Sequence, residues 1–187
     1  ANSMCFGQDD VPDLAFEKAR IIYNFGADFL ETWGRPVENA RRLSESNAFD
    51  GKTKTELVHL SPHVSLTGAK ADRWVVINPG SEAMVALSIA SVIRDQKGGY
   101  DFLSGMLAAF APEKVAEATG VPAKKMKELA QNFTENSPGL ALGGGPSSRN
   151  SNLTSLHVAI NILNAVSGNL GKTVFFHDQP APENTSH

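Results

Sequence analysis

The sequence predicts an α/β fold, an open and mainly parallel Rossmann-like sheet with helices on both faces and an inserted helical hairpin. Three observations predict it. Short runs rich in branched apolar residues, such as "ARIIYNF" and "TELVHL", have the look of strands buried on both faces. Segments of helical periodicity alternate with them, and glycine- or proline-bearing turns follow them. With 187 residues and 41% hydrophobic content, the chain can bury one substantial core.

The elements follow in order. Residues 1–18 read as an irregular lead-in with a short helix around Leu14 to Lys18, and "QDDVPD" as a loop. The domain spans residues 19–173 and opens on the strand "ARIIYNF". A helix is expected from Pro36, because proline suits a first turn and Val37, Ala40 and Leu43 recur at spacings of three. After the turn "NAFDGKTK" come the strands "TELVHL" and "RWVVIN", then "SEAMVALSIASVI", a helix apolar nearly all round and so covered on more than one side. In "PEKVAEATGVPAKKMKELAQNF", Gly120 ends one helix and Pro122 opens the next. The strand "GLALGGG" leads through a glycine-rich turn to a long helix from Asn150 to Ser167. Residues 174–187 read as a flexible tail.

Composition narrows the function. A formal net charge of −3 offers no basic field for nucleic acid, and Lys124, Lys125 and Lys127 are balanced by Glu113, Glu117 and Glu128 as a solvated face. No apolar run is long enough to cross a bilayer, no signal peptide is suggested, and the chain as given reads as soluble. The single cysteine, Cys5, excludes an internal disulfide and reads as a buried or tail residue. His59, His63, His157, His177 and His187 lack metal-ligand spacing, so no metal site is expected. No nucleophile elbow or catalytic carboxylate pair is visible.

In an open parallel sheet, ligands bind beyond the carboxyl ends of the strands. The candidate loops are therefore "NFGAD", with Gly26, Ala27 and Asp28; "SPHVSLTGAKAD", with Ser61 and His63; "NPGSE", with Gly80 and Glu82; and "GGGPSSRN", with Gly143, Gly144, Gly145 and Ser147. Bare amides of the glycine triplet can face a diphosphate, or the triplet can simply make a tight turn. Ser81 and Glu82 read equally as a helix start and as a carboxylate that accepts the paired donors of a guanine edge. From Asn150 to Gly171 there is no Asp, Glu, Lys or Arg. Leu153, Leu156, Ile160 and Leu163 form a core stripe, while Asn150, Thr154, His157, Asn161 and Asn164 form a polar, uncharged one. Such a face points to contact with another domain, a subunit or a cofactor.

Taken together, "NFGADFLETW", "LSPHVSLTGAKADRWVVINPGSEAMVALSIA", "EATGVPAKKMKELA", "GLALGGGPSSRNSN" and "NILNAVSGNLGK" resemble the third domain of molybdopterin-dependent oxidoreductases, over Ala19 to Lys172. "GADFLETW" is most similar to molybdopterin-type subunits of menaquinone-linked respiratory complexes such as the quinone reductase complex and alternative complex III. The resemblance implies an α/β domain holding the guanosine diphosphate arm of a molybdopterin guanine dinucleotide. It further implies that this domain of an oxidoreductase is not catalytic by itself. Other domains of a longer chain, and iron–sulfur or haem electron-transfer subunits, would be its partners at the periplasmic face of a bacterial membrane. On the matching positions, Gly26, Gly143, Gly144 and Ser147 would contact diphosphate or ribose and Glu82 would read guanine.

Three motifs depart from the family pattern. Gly26, Ala27, Asp28 and Phe29 stand where the family has Gly-x-Asn-Pro, so an acceptor-only carboxylate replaces an amide. Ser61, Pro62, His63, Val64 and Ser65 stand where it has Asp-Pro-Arg-x-Thr, which removes an acidic residue and exchanges arginine for a weaker cation. Pro79, Gly80, Ser81 and Glu82 resemble its Pro-Gly-Thr-Asp, with the carboxylate on a longer arm. Relatives without molybdenum cofactor keep the fold, which makes a structural scaffold the alternative role.

Overall fold

The computed structural model describes residues 1–8, 10–47, 54–145 and 153–176. In chain order its strands are β1 (Asp13–Leu14), β2 (Ile21–Phe25), β3 (Glu56–Leu60), β4 (Arg73–Val75), β5 (Gly139–Gly143) and β6 (Val174–Phe175). Its helices are α1 (Asn2–Phe6), α2 (Pro36–Ser46), α3 (Leu66–Lys70), α4 (Glu82–Lys97), α5 (Ser104–Leu107), α6 (Pro112–Thr119), α7 (Ala123–Glu135) and α8 (Leu153–Ser167). The main sheet runs β4-β3-β2-β5 and all its pairings are parallel.

Alternation along the strands divides the core in two. Ile21, Tyr23 and Phe25 face one side with Val58, Leu60 and Ala141, where α4 supplies Ile89 and Ile93, α6 Val115, α7 Leu129 and α8 Leu163. Ile22, Leu57, Leu140 and Leu142 face the other, covered by Leu43 of α2, Phe16, and Ala27 and Phe29 from the turn after β2. All of β2 and β5 is buried, as the continuous apolar runs require. The α4 helix buries residues all round, including Val85, Ser88, Ile89 and Ile93.

The expected hairpin is α6 and α7: Gly120 closes α6 at φ 72°, and Pro122 immediately precedes α7. Lys127 pairs with Glu113 at 2.5 Å, so that face is solvated and self-neutralised. No helix among the described residues is long and apolar enough to cross a membrane.

Two expectations change, and a third reaches beyond the described residues. The lead-in is ordered: α1 packs against α8, and β1 pairs antiparallel with β6, so residues 13–14 and 174–175 close the same structure. In place of a helix at Leu14 to Lys18 there is β1 and a single 3-10 turn over Phe16–Lys18. The last long helix begins at Leu153, and the start expected at Asn150 lies outside the described residues.

Asn161 and Asn164 of the uncharged stripe of α8 find partners within the chain, whereas Thr154 is exposed and Asn150 lies outside the described residues. β5 is an edge strand whose outward backbone groups need partners. Asn164 serves Ala141 twice, with Oδ1 accepting from the amide at 3.0 Å and Nδ2 donating to the carbonyl at 2.8 Å. Asn169 Oδ1 accepts from Gly139 N–H, and Thr173 Oγ1 donates to Gly139 O. Asn161 donates to Asn2 Oδ1 on α1 at 2.9 Å.

Candidate functional site

Chain order reverses between β2 and β5: β2, β3 and β4 step outward in one direction, and the chain then returns to β5 on the other side of β2. Such a switch point is where open α/β sheets bind ligands. The glycine turns after β2 and β5 meet there. A Cβ built on Gly145 would lie 2.9 Å from Gly26 O and 3.4 Å from Asp28 N, so these backbones touch.

The β2 turn is tied by a residue that the sequence did not single out. Asn24 Oδ1 accepts from Ala27 N–H, and its Nδ2 donates to Ala27 O, both at 2.8 Å. The same Nδ2 lies 3.0 Å from Nδ1 of His59, its register partner on β3. A donor facing Nδ1 makes that nitrogen an acceptor, so the proton sits on Nε2, which reaches His63 O at 3.3 Å. Burial holds the His59 pKa below the ordinary imidazole range, although its bond to His63 and the nearby Asp28 charge act the other way. Gly68 is small because His59 lies on it: a Cβ there would be 2.7 Å from His59 Cδ2.

Asp28 follows, 6% exposed, with Oδ1 buried and without a hydrogen-bond partner. Its carbonyl accepts from the amides of Glu31, Thr32 and Trp33. Leu30 N–H donates to Thr67 Oγ1, and Glu31 Oε1 accepts from Leu66 N–H at the start of α3, where Ser65 Oγ takes Gly68 N–H. The amides of Ala27, Leu30, Glu31, Thr32 and Trp33 are thus engaged by protein acceptors.

After β3, Ser61 is fully buried; its hydroxyl accepts from His63 N–H at 3.4 Å and its carbonyl from Trp74 Nε1 at 3.0 Å. It acts as a turn residue, whereas His63 is exposed. Gly80 is exposed at φ 79°, a conformation that favours glycine. Ser81 stands at the N-cap of α4, but its hydroxyl donates back to Asn78 O at 2.6 Å and makes no cap bond, contrary to the capping expectation. Glu82 is 4% exposed with Oε1 buried and unpartnered.

Gly143 and Gly144 are buried and Gly145 is partly so, whereas Ser147 lies outside the described residues. At Gly143 a Cβ would meet Ile160 Cδ1 at 2.6 Å, and at Gly144 (φ 95°) it would meet the His157 ring at 2.8 Å. These glycines admit neighbouring side chains of their own chain. Burial also lowers the pKa of His157.

The structure therefore brings Gly26, Ala27, Asp28 and Gly143 to Gly145 to one switch point. Ser61, His63, Gly80 and Glu82 lie on neighbouring loops of the same sheet edge. Asn24, His59 and Glu31 were missed. The available signal was a polar residue at an alternating position inside each of two apolar strands, which acquires meaning only once the register pairs them.

No family model matches the chain. It is 32% identical over 120 residues to the molybdopterin-binding-like subunit of menaquinone reductase from Nitratidesulfovibrio vulgaris, covering 62% of this chain and 17% of that protein. It is 24% identical over 186 residues to dimethyl sulfoxide reductase of Haemophilus influenzae, covering 83% and 23%. A third relative is the molybdopterin-containing subunit of arsenate respiratory reductase from a Shewanella strain, 29% identical over 86 residues and covering 41% and 8%. The fold is that of acetylene hydratase from Pelobacter acetylenicus, with a TM-score of 0.74 and 19% identity over 93% of this chain and 24% of that one. The resemblance to molybdopterin-type oxidoreductases read from the sequence is thus upheld. The chain spans a quarter or less of the length of these proteins.

Proposed function

We propose that this chain is a non-catalytic α/β domain of a molybdopterin-type oxidoreductase subunit working in respiratory electron transfer. It stands where the family holds the guanosine diphosphate arm of a molybdopterin guanine dinucleotide. Further domains of the same polypeptide would complete the subunit, beside iron–sulfur or haem subunits at the periplasmic face of a bacterial membrane. Support for that position comes from the switch point between β2 and β5, where the turns bearing Gly26 and Gly145 converge.

Within that position the geometry favours a structural scaffold over cofactor binding. A diphosphate is stabilised by donors. The β2 turn offers a buried carboxylate oxygen instead, and the amides of Ala27, Leu30, Glu31, Thr32, Trp33, Leu66 and Gly68 already serve protein acceptors. The Asp28 end of the edge does not fit a diphosphate. Like charges held in a poorly solvated site repel strongly.

One observation favours the cofactor-bound form. Glu82 Oε1 is a buried acceptor without a partner, which suits the ring N–H and amino group of guanine. Molybdenum and guanine nucleotide released from the purified full-length subunit test the choice. The scaffold reading expects neither at a meaningful fraction of the chain, and stoichiometric amounts of both would reject it.

A further inference from the structure

A buried carboxylate oxygen without a partner is costly, and proteins rarely leave one uncompensated. Asp28 Oδ1 is such an atom, at the carboxyl edge of β2. Among the described residues Asp28 forms no ion pair: Arg35, Arg41, Arg42, Lys54, Arg73, Arg94, Lys125 and Lys127 pair with other carboxylates. His59 cannot serve, because its Nδ1 faces Asn24 Nδ2 and its Nε2 faces His63 O. A metal ion is a poor match, since no group of three or more His, Cys, Asp or Glu among the described residues could hold one.

We propose that Asp28 is a socket for a cationic side chain, a guanidinium or ammonium, brought in by another domain of the same polypeptide. The inference rests on the scaffold reading, in which no diphosphate meets this edge. Three features shape the socket. The Asn24 clamp fixes the turn, so the carboxylate is held in place before its partner arrives. Gly145 lies against Gly26 to Asp28 and closes one side. The amides of Ala27, Leu30, Glu31, Thr32 and Trp33 are engaged, so an incoming donor meets an unpartnered carboxylate oxygen. The occupant is assigned to the same polypeptide because the relatives that this chain matches are more than four times the length that it covers.

The sign of one substitution tests the assignment. Replacing a buried carboxylate that lacks a partner stabilises its surroundings, whereas replacing one that is paired with a cation weakens them. The experiment compares amide hydrogen exchange over residues 24–33 in the full-length subunit, purified alone, for wild type, Asp28→Asn and Asp28→Lys. Asn keeps shape and an acceptor oxygen while removing the charge, and Lys repels a cation. Expected is faster exchange, about tenfold for Asn and more for Lys. Unchanged or slower exchange in Asp28→Asn overturns the proposal while leaving the scaffold reading intact. Protection that arises only after assembly with other subunits overturns the assignment to the same polypeptide. Stoichiometric guanine nucleotide in the wild-type sample overturns the scaffold reading and the proposal with it.

Discussion

Asn164→Ala removes the side chain that closes the exposed edge of β5. Its amide reproduces what a further strand would give Ala141, an acceptor for N–H at 3.0 Å and a donor to C=O at 2.8 Å. Asn164 is 3% exposed, and Asn169 Nδ2 donates to the same Oδ1 at 3.1 Å. Leaving a buried polar group without a partner costs roughly 1–3 kcal/mol. Two backbone groups are stranded at once, so the expected loss is about 3–5 kcal/mol, a large part of a typical domain's 5–15 kcal/mol. Asn161→Ala is the internal comparison. It removes one bond to Asn2 on a short helix and should cost about 0.5–1.5 kcal/mol. Urea unfolding followed by circular dichroism gives both values, and hydrogen exchange at the Ala141 amide reports the edge directly. A loss for Asn164→Ala no greater than that for Asn161→Ala would refute the edge-closing account.

Other predictions concern the site and the core. Burial holds the His59 pKa below that of an ordinary imidazole, about 6.5, so the unfolded chain binds the extra proton more readily. The stability that this residue contributes is present above pH 6.5 and is lost as pH falls through the lower folded value. His59→Gln should flatten the pH dependence of the urea midpoint below neutrality, and an unchanged slope would count against the Asn24–His59 geometry. Gly145→Ala should cost about 1–3 kcal/mol, because its Cβ would press within 2.9 Å of Gly26 O; thermal melting reads the loss. Tyr23→Phe should cost about 0.5–1.5 kcal/mol by removing the bond that the buried hydroxyl donates to Leu129 O at 2.8 Å. Burial pushes that phenol's pKa upward, so no tyrosinate absorbance from Tyr23 should appear in alkali before unfolding.

The parts of the fold that could be read in advance are those whose signals are local. Five consecutive buried positions in β2, a proline opening α2, a glycine closing α6 and an apolar surface round α4 each leave a mark within a few residues. The parts that could not be read depend on distant partners. α3 has only five residues, and its first amide is fixed by Glu31 from another segment. α1 lies against α8 through Asn2 and Asn161, and β1 exists only because β6 returns beside it. The uncharged stripe on α8 implied a covered face, which holds for Asn161 and Asn164 but not for the exposed Thr154. Its cover proved to be the chain's own sheet edge and lead-in, because side-chain amides can stand in for a neighbouring strand and periodicity alone does not say so. At the site, Asp28 was visible as a departure from the family pattern. The Asn24–His59 link was not, since Asn24↔His59 is a matter of register.

The central claim is that the turn after β2 is closed to a diphosphate. The most direct measurement is hydrogen exchange over residues 24–33 and 139–145 in the full-length subunit, with and without guanosine diphosphate. At about 1 mM ligand even binding worth only about −4 kcal/mol would occupy half the sites. Exchange in both segments should be the same with and without the nucleotide. Protection of about tenfold at Ala27 and at Gly143 to Gly145 would contradict the account.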